Sequence, residues 1–563
     1  MEKIDVPGAS KDEIQKVAFK YAVKNAFEHD GCAQVGAVVG KVKALFPLVD
    51  LKGAMPIVTK TVDEVNGLST DKLKESFDMF ASMGWELKQI EKEKVLPELD
   101  WIKNEKLVTR VAPNPSGAMH FGHARPAILS DEYVKKYGGL FFLRFDDTDP
   151  KIKKPVEGIE KEFLEEFKWL GIKVDRTFNA SDNLKKYYKI IENLLKNNQA
   201  YICFCDSEKW RKLIWKNKAC PCREKDAKEQ LAEWKKMLKH EIKEGEAVVR
   251  LKTDLNDKDP SLRDWWLARI VDVVEHPNKK AAKEHVWPSY NLASAVDDHD
   301  LGITFIIRGQ EHIQNEAKQK YLYEYLGWIY PHTMYHGKIA QVGDMLLSKS
   351  KIKVLMEKEG LSSDDDPRLA TLKSFRRRGF KAEAIRKIIF EMGLNPSEAK
   401  IGIENFASAN KEFLGEVAEY PFFSDAAQIE VIDMGAGEVD SYGEKVKFDS
   451  PLQTFIVDKK DLVKLKKGVK IRFKQAFNAN ITEVSEFGAK ARFVSYTKEK
   501  NETISWLKNG IDVEVLMSDG STLVGFTSQE MSMATGVVRL EGIGYVNIEK
   551  VEEGKVKCIF THP

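Results

Sequence analysis

The stretch NPSGAMHFGHARPAIL, residues 114–129, sets two histidines three positions apart, after a loop broken by Pro and Gly and before an apolar run. Three chemistries suit His120 and His123. Histidines at i and i+3 share a helix face and can ligate a metal, although no carboxylate or third histidine nearby completes a set. They can equally cap and pack the start of a helix. Or they can serve a nucleotide. A loop that leads into a helix N-terminus offers free N–H groups and the positive end of the dipole to phosphate. Gly122 would let a ligand approach the backbone, and imidazole donors can bond phosphoryl oxygens as charge develops. Far downstream, MLLSKSKIK (345–353) places Lys349 between Ser348 and Ser350 in what reads as a basic loop. Alone, that pattern is also what a solvated lysine cluster looks like.

Two more patterns carry chemistry. Cys203, Cys205, Cys220 and Cys222 form C-x-C, fourteen residues, C-x-C. A tight set of four cysteines in a chain with few others favours structural zinc, with free thiols or disulfides as the alternatives. ITFIIRG reads as an apolar strand ending in Arg308. The C-terminal end of a strand in an open α/β sheet is where ligands bind, and a guanidinium there is a planar fork suited to a carboxylate. A strand-end salt bridge is the plainer reading.

These groups need elements to hold them. The chain has 563 residues, 43% of them apolar and 31% charged, with a net charge of +2. That length exceeds one core, so several domains are expected. Near-neutral charge confines any nucleic-acid surface to local patches. No apolar run is long enough to span a membrane, and the first residues lack a secretory pattern. Residues 1 to about 100 read as helical. LVTRVAP, a helix from about His120 to Tyr137, and GLFFLRFDDTDP give strand, turn, helix, strand, hence a parallel sheet. The region 201–285 holds the cysteines and a charged helical run, 356–420 is mainly helical, and short strands follow from about 425. Cys32 and Cys558 stand alone and read as incidental thiols.

HFGH in the first βα turn, followed far downstream by LSKSK, resembles the paired signatures of class I aminoacyl-tRNA synthetases. TRVAPNPSGAMHFGHARPAILSDEY, GGLFFLRFDDTDP, WPSYNLASAVDDHDLGITFIIRGQEHI and DDDPRLATLKSFRRRG look like the glutamyl/glutaminyl branch. The helical start and β-rich end look like its archaeal glutamyl form. The resemblance implies a multidomain α/β, α and β fold. Its parts are a helical extension (1–105), two Rossmann-type core halves (106–200 and 286–355), a zinc-bearing acceptor-end insertion (201–285), a helical stem-contact region (356–425) and a β-barrel anticodon region (426–563). It implies that L-glutamate is activated with ATP and Mg²⁺ and transferred to the 3′ adenosine of tRNA(Glu), with tRNA(Gln) as a second acceptor left open, by a cytoplasmic monomer. Pro113, Asn114, Gly117, His120, Gly122, His123, Ser348, Lys349 and Ser350 would hold ATP. His120, His123 and Lys349 would do the chemistry, and Arg110, Asp146, Tyr290 and Arg308 would hold glutamate.

Phe121 and Leu346 depart from that family's commonest wording, which has Ile and often Lys there. Read without the family, Asp146 is an ordinary turn residue, Arg110 a surface ion pair and Tyr290 a core aromatic. Rival readings are a glutaminyl-tRNA ligase, an enzyme that glutamylates a modified tRNA base, and a non-catalytic RNA-binding relative. Arg308 speaks against the first, although Asp146 is the variant shared with the glutaminyl side. Length speaks against the second, and retention of His120, His123, Lys349 and Asp146 against the third. Residues 451–500 carry twelve Lys/Arg against five acids, and Arg376, Arg377 and Arg378 form a second basic spot; both are candidate RNA surfaces.

Overall fold

The computed structural model describes residues 10–29, 31–46, 49–83, 96–103, 105–343, 345–347, 349–361, 363–442, 444–552 and 554–563. Residues up to Val95 and from Leu96 onward form two compact units. In the first, four helices are described: α1 (Lys11–Glu28), α2 (Val35–Leu45), α3 (Leu51–Asn66) and α4 (Thr70–Met83). Ser10 and Glu13 cap α1 reciprocally, satisfying two otherwise orphaned amides. Ile14, Ala18, Ala22 and Val23 of α1 are buried in one core with Val58, Val62 and Val65 of α3. The periodicity read in the sequence is thus that of a small helical core.

The second unit is built on a parallel sheet. β1 (Val108–Val111) leads through a loop into α5 (Phe121–Tyr137) and back to β2 (Leu140–Phe145). The two strands pair in parallel, Val108 opposite Leu140 and Arg110 opposite Phe142. Helix α6 (Ile159–Trp169) then leads to β3 (Arg176–Asn179), an edge strand beside β2. The sequence carries no clear strand signal here, because RTFN is polar and lacks an apolar alternation. Helix α7 (Leu184–Lys196) follows.

The cysteine region holds, besides the charged helical run, a four-stranded antiparallel sheet that its sequence did not signal: β4 (Ala200–Cys203), β5 (Val248–Leu251), β6 (Trp266–Ile270) and β7 (Val286–Pro288). Helices α8 (Ser207–Trp215) and α9 (Ala227–Leu238) lie between β4 and β5 in the chain. α10 (Tyr290–Asp300), β8 (Phe305–Gly309), α11 (Ile313–Leu326) and β9 (His332–His336) complete the parallel sheet, whose order is β3-β2-β1-β8-β9. The chain runs outward from β1 in one direction and from β8 in the other. The crevice beyond their C-terminal ends is therefore a topological switch point, where such sheets take ligands.

Next come β10 (Ile339–Val342), β11 (Met345–Leu346), α12 (Lys349–Glu359), α13 (Leu372–Arg377), α14 (Ala382–Met392), β12 (Ala399–Ile401) and α15 (Ile403–Leu414). β10 pairs antiparallel with β11 and parallel with β12. Leu372, Phe375, Ile385 and Phe406 from this region share one core with Phe121, Leu129 and Phe305.

The β region resolves into two six-stranded curled sheets. β13 (Glu419–Tyr420) leads in, followed by β14 (Ala426–Ile432), the hairpin β15 (Gly437–Ser441) and β16 (Glu444–Phe448), β17 (Gln453–Asp458), β18 (Lys470–Phe473), β19 (Asn478–Val484), β20 (Gly488–Ser495) and β21 (Glu502–Ile504). β22 (Gly510–Leu516), β23 (Thr522–Ser528), β24 (Gly536–Leu540), β25 (Gly544–Glu552) and β26 (Lys555–His562) follow. One sheet runs β17-β14-β20-β19-β18-β21, the other β13-β24-β25-β26-β22-β23. Each curls until its ends meet through a two-way main-chain bridge, Ile456 with Leu507 in the first and Phe423 with Phe526 in the second. Cys558 is buried in the second barrel and Cys32 is exposed. Among the described residues, no helix is long and apolar enough to cross a membrane.

The arginine triplet of SFRRRG is not one RNA-facing patch. Arg376 reaches Glu166 of α6 at 3.4 Å, and Arg377 pairs with Glu549 of β25 and with Asp365. Arg378 is buried and donates to the carbonyls of Phe560 (3.0 Å) and Thr561 (2.7 Å) in β26. Arg378→Ala would strand those carbonyls, at about 1–3 kcal/mol for each buried acceptor left without a donor. We expect a lower melting temperature and faster proteolysis within 419–563. A variant as stable and protease-resistant as the wild type would refute the staple.

Candidate functional site

The loop after β1 is tied down by its own polar residues. Asn114 accepts from Ser116 N–H (3.1 Å) and donates to the carbonyl of Asp146 (2.8 Å), and Asp146 N–H donates to Pro113 O (2.9 Å). The PNPSG loop is thereby joined to the acidic turn after β2. At the head of α5, His120 is the N-cap and forms a reciprocal capping box with His123. His120 Nδ1 accepts from Gly122 N–H (3.1 Å) and His123 Nδ1 accepts from His120 N–H (3.2 Å). An imidazole that accepts at Nδ1 carries its proton, when neutral, at Nε2. Both rings therefore have Nε2–H donors, and they lie tilted against each other at 35° with centroids 3.7 Å apart. A Cβ on Gly122 would come within 3.0 Å of His120 Cε1, so the ring position depends on glycine. Gly117 has open space around it. The capping and nucleotide readings of the histidines coexist in this geometry, since capping uses Nδ1 only.

This segment also pairs with the helical region. Phe121 N–H donates to Ala370 O (3.1 Å) and Leu372 N–H to Met119 O (2.9 Å), a short antiparallel bridge of His120 with Thr371. Phe121 is fully buried against Phe406 and Phe375, ring centroids 5.0 and 5.9 Å away. That aromatic nest explains Phe where the resemblance has Ile. Arg125, also buried, donates to the carbonyls of Gly337, Gly393 and Asn395. It fastens α5 to the start of the β10–β11 segment. Burial brings its guanidinium down to about 10, still charged at neutral pH. The second signature follows β11. Lys349 and Ser350 open α12, so the segment read as a loop is a helix start from Lys349 onward. Ser348 lies outside the described residues.

Around the switch point sit the other singled-out residues. Arg110 is not a surface pair: it is buried, with Nε and Nη2 donating to the two carboxylate oxygens of Asp298 at 2.8 and 2.7 Å. Burial works against its charge, but Asp298 prevails and the guanidinium is held charged. Arg144 on β2 is fully buried and donates to Asp297 (2.7 Å) and to Asp146 (3.3 Å), while its Nη2 has no hydrogen-bond partner. Asp297 also accepts from Tyr187 (2.7 Å) and Asn183 (2.9 Å). Two adjacent acids of α10 thus hold arginines from two adjacent strands. Asp146 keeps 15% side-chain exposure, enough to meet a ligand. The sequence reading missed Arg144, Asp297 and Asp298. Two acids following LASAV inside an apolar helix were the available signal, because charges rarely go into a core unpaired.

Arg308 lies at the end of β8 and is 5% exposed. Its fork is already engaged. Nη1 donates to Gln319 (3.2 Å), and Nη2 to Glu316 (3.2 Å) and Tyr330 (2.6 Å). Its Nε is buried with no hydrogen-bond partner. Burial opposes the charge, yet the group stays protonated, with Glu316 as its anionic partner and Tyr330 as an acceptor. Tyr290, the first residue of α10, packs its ring 5.6 Å from that of His312. His312 is pushed down to about 4 by burial, with Arg308 and Arg110 adding to the effect, so it is neutral beside two cations.

The four cysteines come together as their spacing suggested. Their Sγ atoms all lie within 4.8 Å of one another. Cys203–Cys220 and Cys205–Cys222 are 3.8 Å apart, far beyond the ~2.05 Å of a disulfide. That separation is the sulfur–sulfur edge of a tetrahedron whose metal–sulfur bonds are about 2.3 Å, the value for zinc. Phe204 N–H points at Cys222 Sγ (3.5 Å). The buried Gln230 accepts from Ile202 N–H and donates to Cys222 O, both at 2.8 Å. The donor set therefore fits a structural zinc with no open position.

The basic stretch 451–500 is less bare than its charge suggested. Lys459, Lys460, Lys464, Lys470, Lys474, Lys490 and Arg492 each meet a carboxylate. Arg472 turns inward to Asn478 and Thr497 O.

Comparison with known proteins gives a consistent answer. The profile of the family described as "tRNA synthetases class I (E and Q), catalytic domain" matches residues 106–416. Proteins named glutamate–tRNA ligase are similar over 98% of this chain and all of their own length. Those of Pyrococcus furiosus, Thermococcus kodakarensis and Sulfurisphaera tokodaii are 43%, 42% and 38% identical.

The cysteine geometry predicts one zinc per chain by elemental analysis. Cys203→Ser and Cys222→Ser should each abolish it, and a strong chelator should lower the melting temperature of the wild type. Metal-free protein with an unchanged melting temperature would contradict this.

Proposed function

The chain belongs to the class I tRNA synthetase family of the E and Q branch, and on that footing we propose that it is a glutamate–tRNA ligase. It activates L-glutamate with ATP to glutamyl-adenylate, releasing pyrophosphate, and transfers the glutamyl group to the 3′-terminal adenosine of tRNA(Glu). The observation that carries this reading is the pair of Nε2–H donors at the head of α5, on the β1 side of a switch point whose β8 side ends in Arg308.

In this reading the Pro113–Gly117 loop and the α5 N-terminus receive the ATP phosphates, and Gly122 keeps the His120 ring in place. His120 and His123 donate from Nε2 to phosphoryl oxygens. Lys349, with Ser348 and Ser350 beside it, neutralises charge that grows as the carboxylate attacks the α-phosphate in line. Mg²⁺ accompanies the nucleotide as part of the substrate. Asp146, steadied by Arg144, takes the ammonium of glutamate. Arg110 spends Nε and Nη2 on Asp298, which leaves Nη1 for a substrate oxygen. Tyr290 lines the pocket, and Arg308, at the end of β8, reads the side-chain carboxylate. A neutral amide there would leave that buried cation without an added anionic partner, which favours glutamate over glutamine. Zinc on Cys203, Cys205, Cys220 and Cys222 is structural and shapes the insertion that meets the acceptor end. The barrels read the anticodon. We further infer that the protein works as a monomer in the cytoplasm, where its tRNA is, and that tRNA(Gln) is a second acceptor for glutamate.

Charging of purified tRNA(Glu) and tRNA(Gln) with labelled glutamate and glutamine, side by side, tests these statements. Glutamate should appear on both tRNAs and glutamine on neither. Glutamate on tRNA(Glu) alone would remove the second acceptor. Glutamine on its tRNA would overturn the specificity, and no charging by active preparations would overturn the activity. Arg308→Cys should lower kcat/KM for glutamate by about 10²-fold, the loss of one charge-assisted anchor, and narrow the preference over glutamine. An unchanged ratio would contradict the role of Arg308.

A further inference from the structure

The turn after β2 carries Asp146, and the next residue along is held from outside the parallel sheet. Asp147 is buried. Its Oδ1 accepts from Ser181 N–H (2.7 Å) and its Oδ2 from the Ser181 hydroxyl (2.6 Å), in the short 3-10 turn Ala180–Asn183 after β3. Its carbonyl oxygen lies 2.8 Å from His276 Nε2. His276 belongs to the connection from β6 to β7; its side chain is fully buried and its ring centroid is 5.2 Å from that of Trp287. His276 Nδ1 accepts from Asn278 N–H (3.0 Å), so the neutral ring carries its proton at Nε2 and donates it to Asp147 O. Asn278 Nδ2 in turn donates to Ser181 Oγ (2.9 Å). Asp147, Ser181, Asn278 and His276 thus close a ring of hydrogen bonds across three segments of the chain.

Antiparallel neighbours such as β6 and β7 need only a few connecting residues, but this connection runs over 271–285. Part of it carries an imidazole and an amide into a buried place, where polar groups cost stability unless each is satisfied. The sheet does not require that; the turn they reach does. Among the described residues the Asp146 side chain has one tie, 3.3 Å to Arg144 Nη1, so its place is set by its main chain. On one side the main chain is fixed by Pro113 O and the Asn114 amide. On the other it is fixed one residue on, by the ring. A group that reads a ligand charge must be held within about 0.5 Å of its working place. We propose that His276 is a positioning residue for amino-acid binding: through Asp147 it fixes the turn that presents Asp146 to the ammonium group. The inference rests on the reading that Asp146 takes that ammonium.

The test uses the full-length zinc-bearing protein, charging of tRNA(Glu), and glutarate, which is glutamate without its amino group, as a competitive inhibitor. His276→Ala should raise KM for glutamate about tenfold, the loss of one anchoring hydrogen bond. The KM for ATP and the inhibition constant of glutarate should stay within about twofold, because neither ligand uses Asp146. His276→Gln keeps an N–H donor and an acceptor on one side chain and should recover most of the loss. Asn278→Ala opens the ring at another bond and should shift the same constant in the same direction, which keeps the test decisive where His276→Ala folds poorly. Asp146→Asn is the reference and should show a larger rise. Unchanged KM for glutamate in either folded ring variant, a Gln variant as impaired as the Ala variant, or glutarate weakened as much as glutamate would overturn the proposal and leave the ligase reading intact. Unchanged KM for glutamate in Asp146→Asn would instead defeat the ammonium assignment, and the proposal with it. A wild type that charges no tRNA would defeat the ligase reading itself.

Discussion

A buried guanidinium must find partners, because a charge left alone in a low-dielectric interior costs several kcal/mol. This chain buries Arg110, Arg125, Arg144, Arg308 and Arg378, and their partners fix how its parts meet. Arg110 and Arg144 bind Asp298 and Asp297, setting α10 against β1 and β2. Arg125 collects three carbonyls and joins α5 to the segment leading to β10. Arg378 holds the last strand of the second barrel. Arg125 and Arg378, for which no carboxylate partner is seen among the described residues, are brought down to about 10 by burial, while Asp298 holds Arg110 above its ordinary value. Both kinds stay charged at neutral pH, so the scaffold is fastened by ionic groups whose state does not change in that range.

The histidine segment before α5 is held from two directions. Upstream, Asn114 and Pro113 tie its loop to the turn after β2. Downstream, the bridge of His120 with Thr371 ties it to the region of α13. Six and seven residues beyond Thr371, Arg377 and Arg378 reach β25 and β26. A continuous covalent and hydrogen-bonded path therefore joins the histidine turn to the second barrel.

Local signals in the sequence were strong where residue type and spacing together imply geometry. The Pro/Gly loop and apolar run placed the start of α5 at about His120, one residue before the observed Phe121. The C-x-C pairs brought four sulfurs together, and ITFIIRG was a buried strand ending in Arg308. Features that depend on distant partners were not legible. Asp297 and Asp298 look like surface acids until Arg144 and Arg110 are seen beside them. RTFN and the four short strands of the cysteine region carry too few residues for a period to register. The arginine triplet reads as one basic patch by composition, but its side chains leave in three directions, to α6, to β25 and to β26.

The closure of both terminal sheets has a consequence for how such a region can change. A barrel whose edges are joined offers no unpaired ladder for another strand to extend. Where the sheets are closed, recognition falls to side chains on the outer surface and to the connections between strands, and the separate β15–β16 hairpin keeps its own edges. Those connections, such as the Lys498–Asn501 crossing and the Asp519–Gly520 turn, can lengthen or shorten without unpicking the hydrogen-bonded wall behind them. Divergence among descendants of this chain would then be written in the lengths of its loops, while the number of staves in each cask stayed at six.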